Sequence, residues 1–475
     1  MYDKKKHNYV TDGSILKSII KLSLPIVVAN VLQSVYNLTD MFWVGRLGKE
    51  AVAAVSFSFP ILFLLISAGA GISVAGTILV AQYRGKRDRE SVDFIAAQTL
   101  FMVTVLSVVI SAAGYFLAEP IIYLAGAEPD VAPMAVAYLK ISFVGLFFLF
   151  SFFVCQSLLW GVGVVKLPMA IVFVTVLLNF AADPLFIMGW GFIPALGVSG
   201  AALATILTQG LASLAAFAMF VSGRYGISLK LRNLPPDWRL IKKTFVLGLP
   251  ASVEHSIRAG SFAVMVFLVG TFGTVAVASY GIVTRIMSFI IIPAVGMAMA
   301  VTTLVGQNMG AGKIRRAEDI SLLSSAFAFV LMTAAGLLFF VFSRRLMAFF
   351  IPGNSSVIES GSVFLRITSL TFGFIGFQIV LGGAFRGSGE TLSAMMLTLF
   401  SFLFLRVLLA WLLPAFTHLA ENGIWLAFPV SNVLGGAAAL LLFLKGNWKK
   451  KRITEEFRAA VFADSAASLD VPLVE

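Results

Sequence analysis

Residues 22–48 read LSLPIVVANVLQSVYNLTDMFWVGRLG, and residues 247–273 read LGLPASVEHSIRAGSFAVMVFLVGTFG. At a shift of 225 residues, Leu22, Leu24 and Pro25 fall on Leu247, Leu249 and Pro250. Val44, Gly45 and Gly48 fall on Val269, Gly270 and Gly273, and farther on Gln82 falls on Gln307. Twenty positions agree without a gap between 22–85 and 247–310. At a shift of 226, Gly161 and Gly163 meet Gly387 and Gly389. The chain is therefore a duplicated scaffold. Its copies are built from apolar runs too long for a soluble helix and long enough to cross a bilayer, which takes about 20 residues.

The composition extends this reading to the whole chain. Of 475 residues, 59% are apolar and 12% are charged. A soluble domain is about 25% charged, so this chain cannot coat a water-soluble body of its size. Mean hydropathy is +0.96. Soluble enzymes, disordered proteins and disulfide scaffolds are excluded on these grounds. Cys155 is the single cysteine. The net charge of +12 points to basic cytoplasmic loops, not to nucleic acid, which is not expected as a partner.

Apolar runs occupy about 15–44, 51–82, 94–118, 131–160, 168–190, 197–222, 241–270, 275–306, 320–351, 356–385, 391–415 and 422–444. Unbroken runs such as Phe147–Phe150 exclude a barrel, which needs alternation. The fold class expected is all-α integral membrane, with about twelve transmembrane helices in two pseudo-symmetric six-helix lobes around a central cavity. The N-terminal lobe would span 1–222, a cytoplasmic linker 223–243, the C-terminal lobe 244–445 and a cytoplasmic tail 446–475. Segments 1–21, 83–92, 223–243 and 445–475 carry five, four, six and six Lys or Arg. The opposite loops hold Arg46, Lys49, Arg344 and Arg345. The bias places both termini in the cytoplasm, and no cleaved signal peptide is expected. An even number of helices per copy makes the repeats parallel, an arrangement found in secondary transporters with the site between the halves.

Ionisable groups inside a bilayer cost enough to be functional candidates. Gln33, Tyr36, Asn37 and Asp40 share one face of the first span, and Thr175, Asn179 and Asp183 share one face of the fifth. Such groups can also serve as packing glue between helices. The repeat sharpens the functional reading. Asp40 corresponds to Met265 and Asp183 to Leu409, so the scaffold is duplicated and the acids are not. A coupling site confined to the N-terminal lobe follows. Pro25 and Pro250 are expected to bend their helices. Glu254 and Arg258, four apart, are spaced for a pair. The substrate-cavity candidates are Gln33, Gln156, Met265 and Arg258. No Walker loop, dinucleotide fingerprint or catalytic constellation occurs, so neither an enzyme nor a cofactor is expected, and an ion gradient is the energy source.

With Pro25, Asp40, Gln82, Gln307, Asn179 and Asp183 in these positions, residues 15–445 resemble the MATE family of multidrug and toxic compound extrusion transporters. The likeness is to its DinF-like prokaryotic branch. That resemblance implies antiport of H+ or Na+ against organic cations or amphipathic drugs, in the plasma membrane, by a monomer. It implies a proton or cation site at Asp40, Asn179, Asp183 and Thr205, the same four being the ligands if the ion is Na+. Tyr36, Asn37 and Tyr138 would surround it. Gln156 stands where some relatives have asparagine. The branch with acids on helices seven and ten fits less well, because residues 360–385 hold no carboxylate. The alternative within the superfamily is a flippase for a lipid-linked sugar, with Arg258, Arg285 and Arg366 as its cationic residues.

Overall fold

The computed structural model describes residues 8–191, 194–451 and 453–454. The first half forms α1 (Ile15–Gly45), α2 (Lys49–Gly85), α3 (Arg89–Leu124), α4 (Ala132–Gly161), α5 (Lys166–Met188) and α6 (Val198–Ser222). The second half forms α7 (Trp238–Gly270), α8 (Thr274–Gly310), α9 (Ile314–Phe350), α10 (Ser355–Ser369), α11 (Phe372–Ser388), α12 (Thr391–Phe416) and α13 (Glu421–Leu444). Among the described residues, 11 helices are long and apolar enough to span a membrane, and the α10–α11 pair, bent by 54°, is the twelfth. Side chains such as Leu124 (87% exposed) and Phe349 (80%) would be untenable on a soluble protein and form a lipid-facing surface here.

Two departures from regular helices are not legible as hydropathy. The run at 356–385 is broken at Leu370-Thr371. There Ser369 Oγ donates to Arg366 O at 3.0 Å and Thr371 Oγ1 to Thr368 O at 2.9 Å, so hydroxyls compete for backbone groups. Within α12, Leu399–Leu405 is π-helical, and Ser261 Oγ of α7 donates to the Phe402 carbonyl there at 2.6 Å.

The lysine- and arginine-rich loops and the described parts of both termini gather at one end of the bundle, called here the basic end. The linker is pinned to α3. Ser228 N donates to Asp93 Oδ1 at 2.7 Å, Gln98 Nε2 to Asn233 O at 2.8 Å, and Arg232 pairs with Glu90 at 2.9 Å. Asp237 caps α7 by accepting from Arg239 N and Leu240 N. Trp448 is buried and Lys449 pairs with Glu318 at 2.6 Å. Of the tail expected at 446–475, residues 455–475 lie outside the described residues. At the opposite, far end, Gly48 and Gly273 begin α2 and α8 with φ of 116° and 94°, in the turns that the repeat superposes. Neither turn tolerates a side chain without strain.

The lobes meet along α1, α2, α7 and α8. Two reciprocal clasps close the basic end. Gln82 Nε2 donates to Gly387 O at 3.1 Å, and Gln307 Nε2 donates to Gly161 O at 2.8 Å. The helices touch there through glycine: a Cβ on Gly85 would lie 1.9 Å from Gln307 O, and one on Gly310 would lie 1.8 Å from Gln82 O. The segment before α1 crosses to the other lobe, where Asn308 and Arg316 donate to Val10 O and Lys313 pairs with Asp12.

Toward the far end the lobes part. One face of α1 is buried at Ile19, Ser23 and Ile26, partly exposed at Asn30, and exposed at Asn37 and Met41. The corresponding face of α7 is buried at Thr244, Gly248 and Ala251 and exposed at His255, Phe262 and Val266. Every member of the second set is 225 residues after a member of the first. Lipid already covers a different face of α1, at Leu24, Val28, Val31, Val35, Leu38 and Phe42. The second exposed face therefore lines a cleft between the lobes, closed at the basic end and open at the far end.

Candidate functional site

The far half of the N-terminal lobe gathers most of the residues that its polar stripes single out. Asp183 and Asn179 are fully buried on α5, and Asn179 Nδ2 donates to Asp183 Oδ1 at 2.9 Å. Tyr36 of α1 is buried, and its hydroxyl bonds the Thr208 hydroxyl of α6 at 2.9 Å. Thr205 is also within reach of that hydroxyl. Asp40 is half-buried one turn beyond Tyr36, and the Asp40 and Asp183 carboxylates lie close enough to interact electrostatically. Tyr138 of α4 is buried within electrostatic range of both acids and Tyr36. Thr175 bonds its own helix, donating to Val172 O at 2.9 Å.

The polar atoms of this cluster are under-satisfied. Asp40 Oδ1, Asn179 Oδ1 and Asp183 Oδ2 are buried with no hydrogen-bond partner. Buried acceptors are normally paired, and an unpaired one costs about 1–3 kcal/mol. Three oxygens from α1 and α5 with unused lone pairs suit a proton, which would turn a carboxylate into a donor. They suit equally a hard cation held by oxygen, such as Na+. No group of three or more His, Cys, Asp or Glu able to hold a metal ion occurs among the described residues, so a site for a transition metal is not indicated.

Other candidates lie elsewhere. Asn37 is exposed on the cleft face of α1, outside the buried cluster, and Gln33 is half-buried at the edge of that face. Met265, in the place of Asp40, is 1% exposed and packs in the core of the C-terminal lobe with Tyr280 and Ile286. It does not line the cavity, because its position faces into its own lobe as Asp40 does. Gln156 is buried in the basic half of α4, 18 residues from Tyr138 and so about 27 Å from the cluster at 1.5 Å per residue. Pro25 and Pro250 sit inside continuous helices, each removing one backbone donor. Arg285 is exposed and Arg366 donates to Ser343 Oγ at 2.8 Å, so neither joins Arg258. Thr208 is the member that pattern reading passed over. It lies three residues past Thr205 on the same helical face, and only the packing of α1 on α6 distinguishes the two.

In the C-terminal lobe, Glu254 receives two guanidinium groups. Arg258 Nη2 donates to its Oε1 at 2.9 Å, and Arg386 Nη1 donates to Oε1 at 3.0 Å and Oε2 at 2.9 Å. Thr398 Oγ1 adds a bond at 3.3 Å. This is the i,i+4 pair that the spacing predicts, with Arg386 as an unforeseen third partner.

Comparison with known proteins agrees with this architecture. The profile of the MatE family matches residues 25–185 and 250–412, one match per lobe. The chain is 31% identical over 451 residues, 94% of this chain and 98% of the relative, to a probable multidrug resistance protein, YpnP, of Bacillus subtilis. It is 26% identical over 442 residues, 92% of this chain and 96% of the relative, to a FAD transporter of Shewanella oneidensis. Among solved structures, a multidrug resistance MATE family transporter in an outward-facing conformation superposes with a TM-score of 0.87 at 26% identity, covering 94% of this chain and 99% of that one. Two copies of the family profile, one on each half of a twelve-span helical bundle, decide the question: this chain belongs to the MatE family of membrane transporters, and is not an enzyme.

Proposed function

We propose that this protein is a cation-coupled antiporter that expels drug-like amphiphiles across the plasma membrane, in exchange for H+ or Na+ entering through the N-terminal lobe. The observation that carries this reading is the trio of buried, unpartnered oxygens on Asp40, Asn179 and Asp183 beside a cleft open at the far end. The basic end is taken as cytoplasmic from its lysine and arginine excess, which places the lobes 1–222 and 244–445 with both termini inside and the cleft facing outward. In this state an ion entering from outside meets half-buried Asp40 before fully buried Asp183. Loading removes the repulsion between Asp40 and Asp183, favours a changed α1 at Pro25, and pushes cargo out. Parting of the basic-end clasps then releases the ion inward, completing alternating access. The relatives named for multidrug resistance support the cargo class.

The test is transport by the purified chain in proteoliposomes with proton and sodium gradients imposed separately. Uptake of a cationic dye should follow one gradient in the wild type and fall at least tenfold in Asp40→Asn and in Asp183→Asn. Undiminished gradient-driven exchange in both variants refutes the reading. A lipid-linked sugar is the second reading of the cargo, favoured by the guanidinium groups of the C-terminal lobe. Rescue of a flippase-deficient strain would establish it.

A further inference from the structure

The interiors of the two lobes carry opposite charge. In the N-terminal lobe Asp40 and Asp183 have no Lys or Arg bonded to them among the described residues. In the C-terminal lobe Glu254 is bonded by both Arg258 and Arg386, so that group keeps one positive charge. Arg406 adds another. It is 7% exposed, donates to Ser431 Oγ at 3.1 Å and Asn432 Oδ1 at 2.7 Å, and lies over the rings of Phe402 (4.4 Å) and Phe428 (4.7 Å). All four partners are neutral. Phe402 also receives the Arg258 guanidinium at 4.9 Å.

The location of this charge decides its use. Arg258 corresponds to Gln33 in the repeat, at the edge of the cleft face of α7, one turn from exposed His255. Its side chain is 30% exposed, whereas that of Glu254 is 6% exposed. The carboxylate is thus sealed in the lobe and the guanidinium meets the cleft. The level is where α7 passes from buried Ala251 to exposed His255, which is the floor of the cleft. Arg258 uses one nitrogen, Nη2, for both Glu254 and Thr398, so Nε and Nη1 retain donors. A planar donor fork with surplus charge, away from bulk water, matches an oxyanion.

We infer that the floor of the cleft is an anion subsite: Arg258, supported by Arg386, takes the phosphate or carboxylate group of an amphipathic cargo whose apolar body lies against Phe262 and Val266. The inference rests on the cleft being the transport route, and it adds an anionic class to the cargo proposed above.

The test is equilibrium binding to the full-length protein in detergent, using the intrinsic fluorescence of riboflavin and of riboflavin 5′-phosphate, two probes that differ only by a phosphate. The wild type should bind the phosphate form at least tenfold more tightly. Arg258→Gln should bring the two within threefold, and Arg258→Lys should retain part of the preference. Glu254→Gln frees both guanidinium groups and should tighten the phosphate form at least threefold, a gain that misfolding cannot produce. Equal binding by the wild type, an unchanged preference in Arg258→Gln, or no gain in Glu254→Gln would overturn the inference. Competition by short-chain phosphatidylglycerol but not phosphatidylcholine assigns the anion to a lipid headgroup, and absence of competition assigns it to soluble cargo. No gradient enters this measurement. Loss of coupling in Asp40→Asn therefore bears on the antiport mechanism, and loss of phosphate preference on this subsite.

Discussion

At the scale of single residues, the N-terminal cluster holds hydroxyls as well as acids. Tyr36 is held by Thr208, and Thr208 also bonds its own helix at Ala204 O and Thr205 O. Thr208→Val removes the hydroxyl that bonds the buried Tyr36 phenol and leaves it only the Thr205 hydroxyl, at a cost of about 1 kcal/mol. The expected outcome is a lower melting temperature together with weaker ion-driven exchange, read by scanning fluorimetry and the proteoliposome assay. Tyr36→Phe removes the donor as well and should cost a similar amount, about 1 kcal/mol. A second prediction concerns Asp12, which precedes α1. Its pairing with Lys313 holds its carboxyl below the usual 3.8. A depressed carboxyl contributes stability that is present above the unfolded value and lost as pH falls through the lowered one. Docking of the 8–13 segment on the C-terminal lobe should therefore hold at neutral pH and loosen only in strong acid. Limited proteolysis near residue 12 at pH 7 and pH 3 checks this, and Asp12→Asn should show the loosened pattern already at pH 7.

At the scale of elements, glycine separates contact helices from free ones. Gly85 and Gly310 lie where α2 and α8 cross, each filled by a carbonyl of the other helix. Gly85→Ala or Gly310→Ala forces those helices apart, and cysteine cross-linking across the basic end should fall severalfold. Gly260 in α7 has nothing within 4 Å of a Cβ, so Gly260→Ala should be neutral or stabilise by up to about 1 kcal/mol through helix propensity, measured by thermal unfolding. The repeat was legible in these glycines, but their role was not: the sequence shows that Gly85 and Gly310 correspond, and only the crossing shows that Gly85 abuts Gln307 and Gly310 abuts Gln82. The break at Leu370-Thr371 and the π-helical turn at Leu399–Leu405 carry no hydropathy signal. Hydroxyls bond the backbone at both places, those of Ser369 and Thr371 at the break and that of Ser261 of a neighbouring helix at the π-helical turn.

At the scale of the whole molecule, the lobes are latched at the basic end. Two clasps, Gln82 to Gly387 and Gln307 to Gly161, hold the basic end shut. Each hydrogen bond contributes roughly 0.5–1.5 kcal/mol net, so Gln82→Ala with Gln307→Ala should shift the opening equilibrium by about 1–3 kcal/mol, roughly 5- to 150-fold. Spin-label distances across the basic end should then broaden toward longer values, and those across the far end should shorten. Unchanged distributions at both ends would mean that helix packing alone sets the state.

What the amino-acid order determined by itself was the bilayer, the number of spans, the duplication and the lobe holding the acids. Hydropathy, charge bias and repeat spacing are properties of neighbours along the chain, and a bilayer reads them locally. What tertiary structure decided was which polar residues meet. Asp40 and Asp183 are 143 positions apart and come together because α1 packs on α5. Thr208 became a partner of Tyr36, Met265 turned into its own lobe, Gln156 fell far from the site, and Arg386 joined Glu254 across 132 residues. Helical periodicity gives the face on which a residue lies, whereas the neighbour opposite that face depends on how separate helices cross.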